Sequence, residues 1–323
     1  MSEASPFVIV DDREFDRIID RTVKIERIAG GFGFVEGPSW TDHDGGFLVF
    51  SDIPKNRMHR WSPTHGLTTF REPTANTNGN TRDHEGNLIS CEHSGRRVVQ
   101  EDGHGGLVTV VDQFGGKKLH SPNDVVVASD GALWFTDPPY GLFGLSIFDV
   151  PAPPEVEIGR ELDRNHVFRF DPKTNTLGSV ADDFDRPNGL CFSPDGTFLY
   201  IADSGAPRHI RRFTVNPDNT LSGSGVFCEI GNGLPDGIRC DVDGRLWSSA
   251  GDGVHIFGTD GHLIGRIVTP DAPSRLDPAV IAPETVANLC FGGVDGNRLF
   301  MTACTSLYSV AVRVHGATQG RTG

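Results

Sequence analysis

Asn188-Gly-Leu-Cys-Phe-Ser-Pro-Asp-Gly196 decides the fold, because the chain repeats this pattern six times. Each copy has a residue with a side-chain oxygen, then mostly apolar residues, a glycine and a second apolar run. The oxygen-bearing residue and the glycine lie the same distance apart in further copies at Asn78–Gly86, Asn123–Gly131, Asp236–Gly244 and Asn288–Gly296. Another copy begins at Glu36, ahead of Gly45-Gly46. Repetition at a period of this length predicts a solenoid or a propeller.

The unit that contains Asn188 indicates how many strands each copy provides. Its polar residue opens a first strand, and an Asp-Gly turn of the hairpin type leads into a second strand over Thr197–Ala202. Third and fourth strands are predicted over His209–Thr214 and Val226–Ile230. Four antiparallel strands form one blade, so the repeats predict an all-β fold, a six-bladed β-propeller.

The ends of the chain complete the ring in this interpretation. The last unit lacks a fourth strand of its own, and we expect residues 22–28 to supply it. This N-terminal strand closes the last blade and leaves no open sheet edge. We therefore predict a single domain over residues 1–323, with the propeller at about 22–314 and an insertion at 138–165 near the channel mouth.

The composition argues against nucleic-acid and membrane partners. No segment approaches the ~20 consecutive apolar residues of a membrane span. The first residues do not resemble a signal peptide, so we expect a cytoplasmic location. The net charge is −14 and no Lys/Arg-rich run is present, which disfavours nucleic-acid binding. The six cysteines fall mainly in predicted strands and are expected to be buried and reduced.

The residues that open the first strands are the candidate site, because in a propeller they point at the central axis near one mouth. They are Glu36, Asn78, Asn123, Asn188, Asp236 and Asn288. Carboxylate and amide oxygens held together repel unless a cation satisfies them. This oxygen-only set favours Ca²⁺, with Mg²⁺ or Mn²⁺ also able to fit; Zn²⁺ is less favoured because the set has no histidine or cysteine. Each residue alone has a simpler explanation, as a turn residue that bonds its own backbone.

The members of this set are expected to differ in role. The two carboxylates, Glu36 and Asp236, and the amide of Asn188 are the first candidates for metal ligands, and Asn123 follows. The remaining two asparagines, Asn78 and Asn288, are predicted to orient water or substrate.

Other side chains could reach the same mouth. His120 lies three residues before Asn123, and we predict that it contacts the substrate. Glu92, His93 and Tyr140 follow second strands of their units, but we do not assign them to the site. A histidine beside a channel mouth is more often a hydrogen-bonded structural residue than a catalyst.

Four motifs resemble those of the gluconolactonase family, which includes regucalcin (senescence marker protein): Glu36-Gly-Pro, Ser121-Pro-Asn123-Asp, Arg186-Pro-Asn188-Gly-Leu and Leu234-Pro-Asp236-Gly. The resemblance covers about residues 25–312. It implies a six-bladed propeller that holds a divalent metal through Glu36, Asn188 and Asp236, often joined by Asn123, and that hydrolyses lactones, typically sugar lactones. Ser121, a candidate substrate contact, stands where some animal members have an arginine, so a sugar-hydroxyl clamp there does not carry over.

The chemistry expected of such a site is the opening of a lactone ring. A divalent cation acts as a Lewis acid on the carbonyl oxygen while a carboxylate takes a proton from the attacking water. Asp236 is our first choice for this base. Alternatively, metal-bound water is the nucleophile and Asp236 only orients it. The expected partner is a small-molecule lactone.

Several alternatives stay open at this point. The insertion at 138–165 is either a lid that shapes the pocket, or a surface loop or subunit contact. The site is also compatible with phosphotriester (organophosphate) hydrolysis, since that reaction too requires an electrophilic oxygen on the cation. A third reading is a non-catalytic calcium-binding propeller. The oligomeric state is not predicted.

Overall fold

Strands form nearly all of the regular structure. The computed structural model describes residues 5–148, 159–270, 272 and 284–317. In chain order its strands are β1 (Phe7–Ile9), β2 (Glu26–Thr41), β3 (Phe47–Asp52), β4 (Arg57–Ser62), β5 (Gly66–Arg71), β6 (Thr77–Arg82), β7 (Leu88–Glu92), β8 (Arg97–Glu101), β9 (Leu107–Val111), β10 (Gln113–Phe114), β11 (Lys117–Lys118), β12 (Val125–Val127), β13 (Leu133–Asp137), β14 (His166–Asp171), β15 (Thr176–Ala181), β16 (Pro187–Phe192), β17 (Phe198–Asp203), β18 (His209–Val215), β19 (Leu221–Glu229), β20 (Ile238–Cys240), β21 (Leu246–Ala250), β22 (Gly253–Phe257), β23 (Leu263–Val268), β24 (Asn288–Gly292) and β25 (Arg298–Ala311). The described helical segments are α1 (Asp12–Ile18) and two 3-10 turns, His43–Gly45 and Tyr140–Phe148.

Neighbouring strands pair antiparallel within sheets, which confirms the all-β propeller arrangement. Four-stranded sheets are formed by β6–β9, by β12–β15 and by β16–β19, as predicted for a blade. Strands β20–β23 form a similar sheet, to which β1 adds at the outer edge by pairing with β23. The remaining large sheet has six strands in the order β24-β25-β2-β3-β4-β5. Because of this merged sheet, the count of six blades stays a prediction.

The two ends of the chain meet in the six-stranded sheet. The first part of β2 pairs with the last part of β25, from Glu26 opposite Ser309 to Gly30 opposite Ser306. The last part of β2 pairs with β3 instead, up to Thr41 opposite Phe47. Pairing of an N-terminal strand with the last unit was predicted from the sequence, although the strand begins at Glu26 rather than at residue 22.

The segment before this closing strand was not anticipated to be structured. The carboxylate of Asp11 caps α1 by accepting a hydrogen bond from the backbone N–H of Glu14 at 3.0 Å. The buried face of α1 consists of Phe15 and Ile18. These side chains belong to one hydrophobic cluster with Ile267 of β23. Together, β1 and α1 cover the outer edge of the β20–β23 sheet.

The hydrophobic core lies between the faces of neighbouring sheets. Trp134 of β13 meets Phe192 of β16 edge to face, with 5.5 Å between ring centroids. Leu190 and Ile201 belong to the same buried cluster. An aromatic pair of this kind contributes about 0.5–1.5 kcal/mol beyond its area burial. Since apolar side chains fill the spaces between sheets, the polar residues that open the first strands are left near the axis.

All six cysteines are buried free thiols, as expected from the sequence. The sulfur atoms of Cys191 and Cys240, on adjacent first strands, are 3.8 Å apart. Among the described helices, none has the length and apolar character needed to cross a membrane.

Candidate active site at one end of the channel

The residues that open the first strands come together at one end of the channel. Asn78, Asn188 and Asn288 lie at or near the starts of β6, β16 and β24, and Glu36 lies within β2. Five of the set are almost fully buried, while Asp236 keeps some solvent-exposed surface. Asp236 is therefore the most exposed member of the set.

A chain of side-chain hydrogen bonds connects members from different sheets. Asn78 Nδ2 donates to Asn123 Oδ1 at 2.7 Å, and Asn123 Nδ2 donates to Asn188 Oδ1 at 2.5 Å. Burial raises the pKa of Asp236, and the Asn188 side chain near its carboxylate acts in the opposite direction. These residues are far apart in sequence, so only the closing of the sheets around an axis brings them into contact.

The other members come from the six-stranded sheet. Asn288 Nδ2 donates to Glu36 Oε2 at 2.8 Å. The Glu36 carboxylate is close enough to Asp236 to raise the pKa of that carboxyl. Side-chain hydrogen bonds thus join Asn78, Asn123 and Asn188 in one group and Asn288 and Glu36 in another. The convergence of all six side chains on one small volume, and the role of each, stay predictions.

Glycine follows four of these residues, and each glycine permits neighbouring first strands to approach. A Cβ atom on Gly37 would lie 2.1 Å from the carbonyl oxygen of Asn78, and one on Gly189 would lie 2.1 Å from that of Asp236. Gly79 and Gly237 are equally crowded, at 2.4 Å and 2.0 Å from atoms of the next first strand. The polar-residue–glycine pair in the sequence is therefore a packing requirement of the channel wall.

Hydroxyl groups on the second strands fix the backbone of the same residues. Ser51 Oγ donates to the Asn78 carbonyl at 2.8 Å, and Thr136 Oγ1 donates to the Asn188 carbonyl at 2.8 Å. The backbone N–H of Asp236 donates to Ser249 Oγ at 3.0 Å. Because these hydrogen bonds fix the backbones of Asn78, Asn188 and Asp236, the side chains of these residues have little freedom to leave the site.

The two carboxylates carry the unusual electrostatics of the site. Burial raises the pKa of Glu36 to about 7, and the nearby Asp124 carboxylate adds to the rise. Burial, followed by the charges of Glu36 and Asp124, raises the pKa of Asp236 well above its usual range. Desolvated carboxylates that face each other favour protons, or a cation, over two bare negative charges.

The donor set fits a hard divalent cation. Glu36 Oε1 and Asn78 Oδ1 are buried without a hydrogen-bond partner, and a buried acceptor left unmatched is costly. Within the described residues, no group of three or more His, Cys, Asp or Glu side chains could hold a metal ion. Amide oxygens would therefore have to complete the coordination of any cation bound by Glu36 and Asp236, as they do in many calcium sites.

Two side chains that we did not assign from the sequence lie near this group. His93 Nε2 lies 3.1 Å from Asn78 Nδ2 and 3.2 Å from Asn123 Oδ1, and burial lowers its pKa to about 4. Burial and the nearby charge of Asp236 raise the pKa of the Tyr140 phenol. His93 and Tyr140 both follow the second strand of their unit, and that strand ends beside the start of the first strand. This position in the repeat is the sequence feature that could have identified them.

The histidine and serine predicted as substrate contacts are more deeply placed. Neither His120 nor Ser121 has exposed surface. Their backbone N–H groups each donate to the Asp137 carboxylate at 2.8 Å. Ser121 Oγ donates to the Pro138 carbonyl at 2.6 Å and accepts from the Gly141 N–H at 2.8 Å. These contacts hold the start of the insertion, which gives both residues a supporting position rather than an accessible one.

The insertion itself is described only at its two ends. Residues 149–158 of the predicted 138–165 segment lie outside the described residues. The far end of the insertion returns to His120, since His120 Nε2 lies 3.1 Å from the carbonyl oxygen of Leu162. The choice between a lid and a surface loop therefore stays a prediction.

One ion pair near the site was not predicted from the sequence. Arg239 Nη1 lies 3.2 Å from Asp124 Oδ2, and the Asp124 side chain is 1% exposed. The two residues belong to different sheets, so the ion pair links β20 to the segment that precedes β12. At the end of the channel that Arg239 faces, a cavity of about 700 Å³ opens, lined in part by Trp40, Phe192 and Phe291.

Comparison with known proteins identifies the family. Residues 34–305 match the family described as the SMP-30/Gluconolactonase/LRE-like region. A gluconolactonase from Zymomonas mobilis subsp. mobilis is 31% identical over 325 aligned residues, which cover 93% of this chain and 85% of that protein. A solved putative gluconolactonase has a TM-score of 0.84 at 34% identity, covering 97% of this chain and 100% of that chain. A solved gluconolactonase from Xanthomonas campestris has a TM-score of 0.82 at 33% identity, covering 96% of each chain. The chain therefore belongs to the SMP-30/gluconolactonase/LRE-like family.

Proposed function

We propose that this protein is a divalent-metal-dependent hydrolase that opens lactone rings, and that its substrates are sugar lactones. One observation carries the proposal: Glu36 and Asp236, two carboxylates whose pKa values are raised mainly by burial, lie near each other among amide oxygens, and Asp236 is the less buried residue of the two. The gluconolactonases from Zymomonas mobilis and Xanthomonas campestris support the choice of substrate class.

The proposed metal ligands are Glu36, Asn123, Asn188 and Asp236, and Ca²⁺ is the cation that an oxygen-only set suits best. Support comes from the unmatched Glu36 Oε1 atom and from the raised pKa values of both carboxylates. A divalent cation bound there would supply Lewis-acid stabilisation of negative charge on the lactone carbonyl oxygen.

We assign the remaining steps of the reaction to side chains of the protein. Asp236 accepts a proton from the attacking water, because it is the half-buried member of the group and the other five are almost fully buried. Asn78 and Asn288 orient water or substrate through their amide groups. His93 holds Asn78 and Asn123 in place from the second strand, where its low pKa of about 4 keeps it uncharged at neutral pH.

The same proposal includes six blades. The six-stranded sheet divides naturally at β2 and β25, since each of these long strands pairs with one neighbour along its first part and with another along its last part. We infer that β2–β5 form the first blade and that β24, β25 and the start of β2 form the last. With this division every unit of the sequence repeat supplies one blade.

A substrate panel tests the function. The purified protein is assayed in a weakly buffered pH-indicator medium with a sugar lactone, an aromatic lactone and a fluorophosphate, each with and without a chelator. We expect chelator-sensitive acid release from the sugar lactone above the other substrates. Faster turnover of the fluorophosphate would favour the organophosphate alternative, and no turnover of any substrate would favour a non-catalytic calcium-binding propeller.

A further inference from the structure

The cavity of about 700 Å³ lies at the opposite ends of the first strands from the candidate active site. Its lining includes the last residues of three first strands, Val127 of β12, Phe192 of β16 and Cys240 of β20. Asn188 of the candidate site lies near the start of β16. Since a strand rises about 3.3 Å per residue, about 13 Å of channel separates Asn188 from Phe192. None of the six residues that open the first strands lines the cavity, so it is a second pocket.

The size and walls of this cavity suit a small molecule with an apolar body. Pockets that hold such molecules have volumes of about 300–1,000 Å³ and are lined mainly by apolar and aromatic side chains. Trp40, Phe192 and Phe291 contribute aromatic rings to the wall. Val242 and Val294 also line the cavity and are 49% and 81% exposed. An apolar molecule in the cavity would therefore remove exposed apolar surface from water.

Arg239 contributes a positive charge to the lining of the cavity. Its Nη1 group donates to Asp124 Oδ2 at 3.2 Å and to the Ile238 carbonyl oxygen at 2.7 Å. The Asp124 side chain is 1% exposed and the Arg239 side chain is 18% exposed. A buried carboxylate thus holds one nitrogen of the guanidinium in place, while part of the Arg239 side chain stays accessible.

The other two nitrogens of this guanidinium are available to a ligand. Within the part of the chain that the structure describes, Arg239 Nε and Nη2 make no hydrogen bond, and neither atom is fully buried. The Nε–H and one Nη2–H of an arginine point in the same direction and match the two oxygens of a carboxylate. Because its Nη1 is already fixed, Arg239 presents this pair of donors with little loss of side-chain freedom.

The carboxylates in the lining leave this pair of donors open. They are Asp42, Asp83 and Glu85, and among the described residues only Asp124 lies within 4.0 Å of an Arg239 nitrogen. Asp42 accepts instead from Trp40 Nε1 at 2.8 Å, and Asp83 accepts from the backbone N–H of Glu85 at 3.0 Å. A carboxylate that occupies the Arg239 donors must therefore come from a bound molecule.

We propose that this cavity is a second binding site, which takes a small organic carboxylate. The carboxylate of the ligand accepts two hydrogen bonds, from Arg239 Nε and Nη2, and its apolar body packs against Trp40, Phe192 and Phe291. The proposal does not depend on lactone hydrolysis, because none of the residues assigned to that reaction contacts the ligand.

The test uses phenylacetate and its neutral analogue phenylacetamide, which have nearly the same shape. Each is titrated by calorimetry into chelator-treated protein, so that no metal ion is present to bind the carboxylate. We expect phenylacetate to bind one molecule per chain and phenylacetamide to bind at least about 10-fold more weakly, since a hydrogen bond to a charged group is stronger than one to a neutral group. No binding of phenylacetate, or equal binding of the two, would overturn the proposal.

A variant of the arginine tests the two parallel hydrogen bonds. Arg239→Lys keeps a positive charge beside Asp124 but cannot present two parallel N–H groups. We expect it to bind phenylacetate at least about 10-fold more weakly than the wild type does. Wild-type affinity in a folded Arg239→Lys variant would overturn the role of Arg239. If a thermal melt shows that this variant does not fold, the comparison of the two probes in the wild type decides alone.

Two further variants locate the bound molecule. Glu36→Gln changes the candidate active site, and it should bind phenylacetate within about 2-fold of the wild type because the two sites are well separated. Trp40→Phe should still bind phenylacetate in calorimetry but lose most of the change in tryptophan fluorescence, since Trp40 lines the cavity. Lost binding in Glu36→Gln, or an unchanged fluorescence response in Trp40→Phe, would place the ligand outside this cavity and overturn the proposal.

Discussion

The side-chain amide of Asn288 donates to Glu36 Oε2 at 2.8 Å, although 252 positions separate the two residues in the chain. Asn288 opens β24 and Glu36 lies in β2, so the contact joins the last repeat unit to the first. The backbone N–H of Gly37 donates to the same carboxylate oxygen at 2.5 Å. One oxygen of Glu36 is thus fully used in closing the ring of first strands, and Oε1 is left for a ligand.

We expect Glu36→Gln to stabilise the metal-free protein at pH 8 and to abolish turnover. The pKa of Glu36 is raised from 4.5 to about 7 in the folded state. The folded state therefore binds the proton more tightly, and wild-type stability falls as pH rises through this window. A neutral glutamine removes up to about 3 kcal/mol of this cost above pH 7 while still accepting from Asn288 and Gly37. Thermal melts of chelator-treated protein at pH 5 and pH 8 measure the effect.

The control for this experiment is Glu229→Gln, because Glu229 is exposed. That variant should melt like the wild type at both pH values and retain activity. Should Glu36→Gln lose stability at pH 8, or show the same pH dependence as the wild type, the desolvation assigned to Glu36 would be wrong.

Replacing the proposed base should remove activity without unfolding the protein. We expect Asp236→Ala to lower kcat on a sugar lactone by about 10²–10⁴-fold, the range found when a general base is removed. The melting temperature of the metal-free variant should not fall, since burial and the charge of Glu36 make the ionised Asp236 unfavourable. Retained lactone hydrolysis at a normal melting temperature would show that another group takes the proton.

Metal removal should affect stability as well as rate. A ligand present at 100 times its dissociation constant stabilises a folded protein by about 2.7 kcal/mol. We expect a chelator to abolish turnover and lower the melting temperature, and added Ca²⁺ to restore both. Glu36→Gln should lose most of the Ca²⁺-induced shift. A wild-type melting temperature that is indifferent to both Ca²⁺ and chelator would contradict the assignment of Glu36 as a ligand.

The repeat made the placement of these residues predictable, because equal offsets from Asn188 and its counterparts put them at equivalent points of the first strands. The Asp124–Arg239 pair could not be found this way, since it joins residues of different sheets that are 115 positions apart. His120 shows a second limit. Its distance of three residues from Asn123 suggested an accessible position, but the direction of its side chain depends on Leu162, which belongs to the insertion and not to the repeat.

The close approach of the first strands gives the most local prediction, that Gly189→Ala destabilises the protein and impairs the site. A Cβ atom there would lie 2.1 Å from the Asp236 carbonyl oxygen, so the backbone of β16 or of its neighbour must move. Overpacking of this kind costs about 1–3 kcal/mol, and the movement separates Asn188 from Asp236.

Gly178→Ala is the matched control, because a Cβ atom on Gly178 of β15 meets nothing within 4 Å. It should be neutral or stabilising by up to about 1 kcal/mol, since alanine restricts the unfolded chain. Urea unfolding of both variants and the Ca²⁺ affinity of both measure the difference. Equal stabilities would mean that the first strands can separate at no cost, and the glycines after the polar residues would then need an explanation other than packing. A Gly189→Ala variant that is stable but binds Ca²⁺ more weakly would show that the crowding changes the distance between Asn188 and Asp236. The proposed metal site depends on that distance.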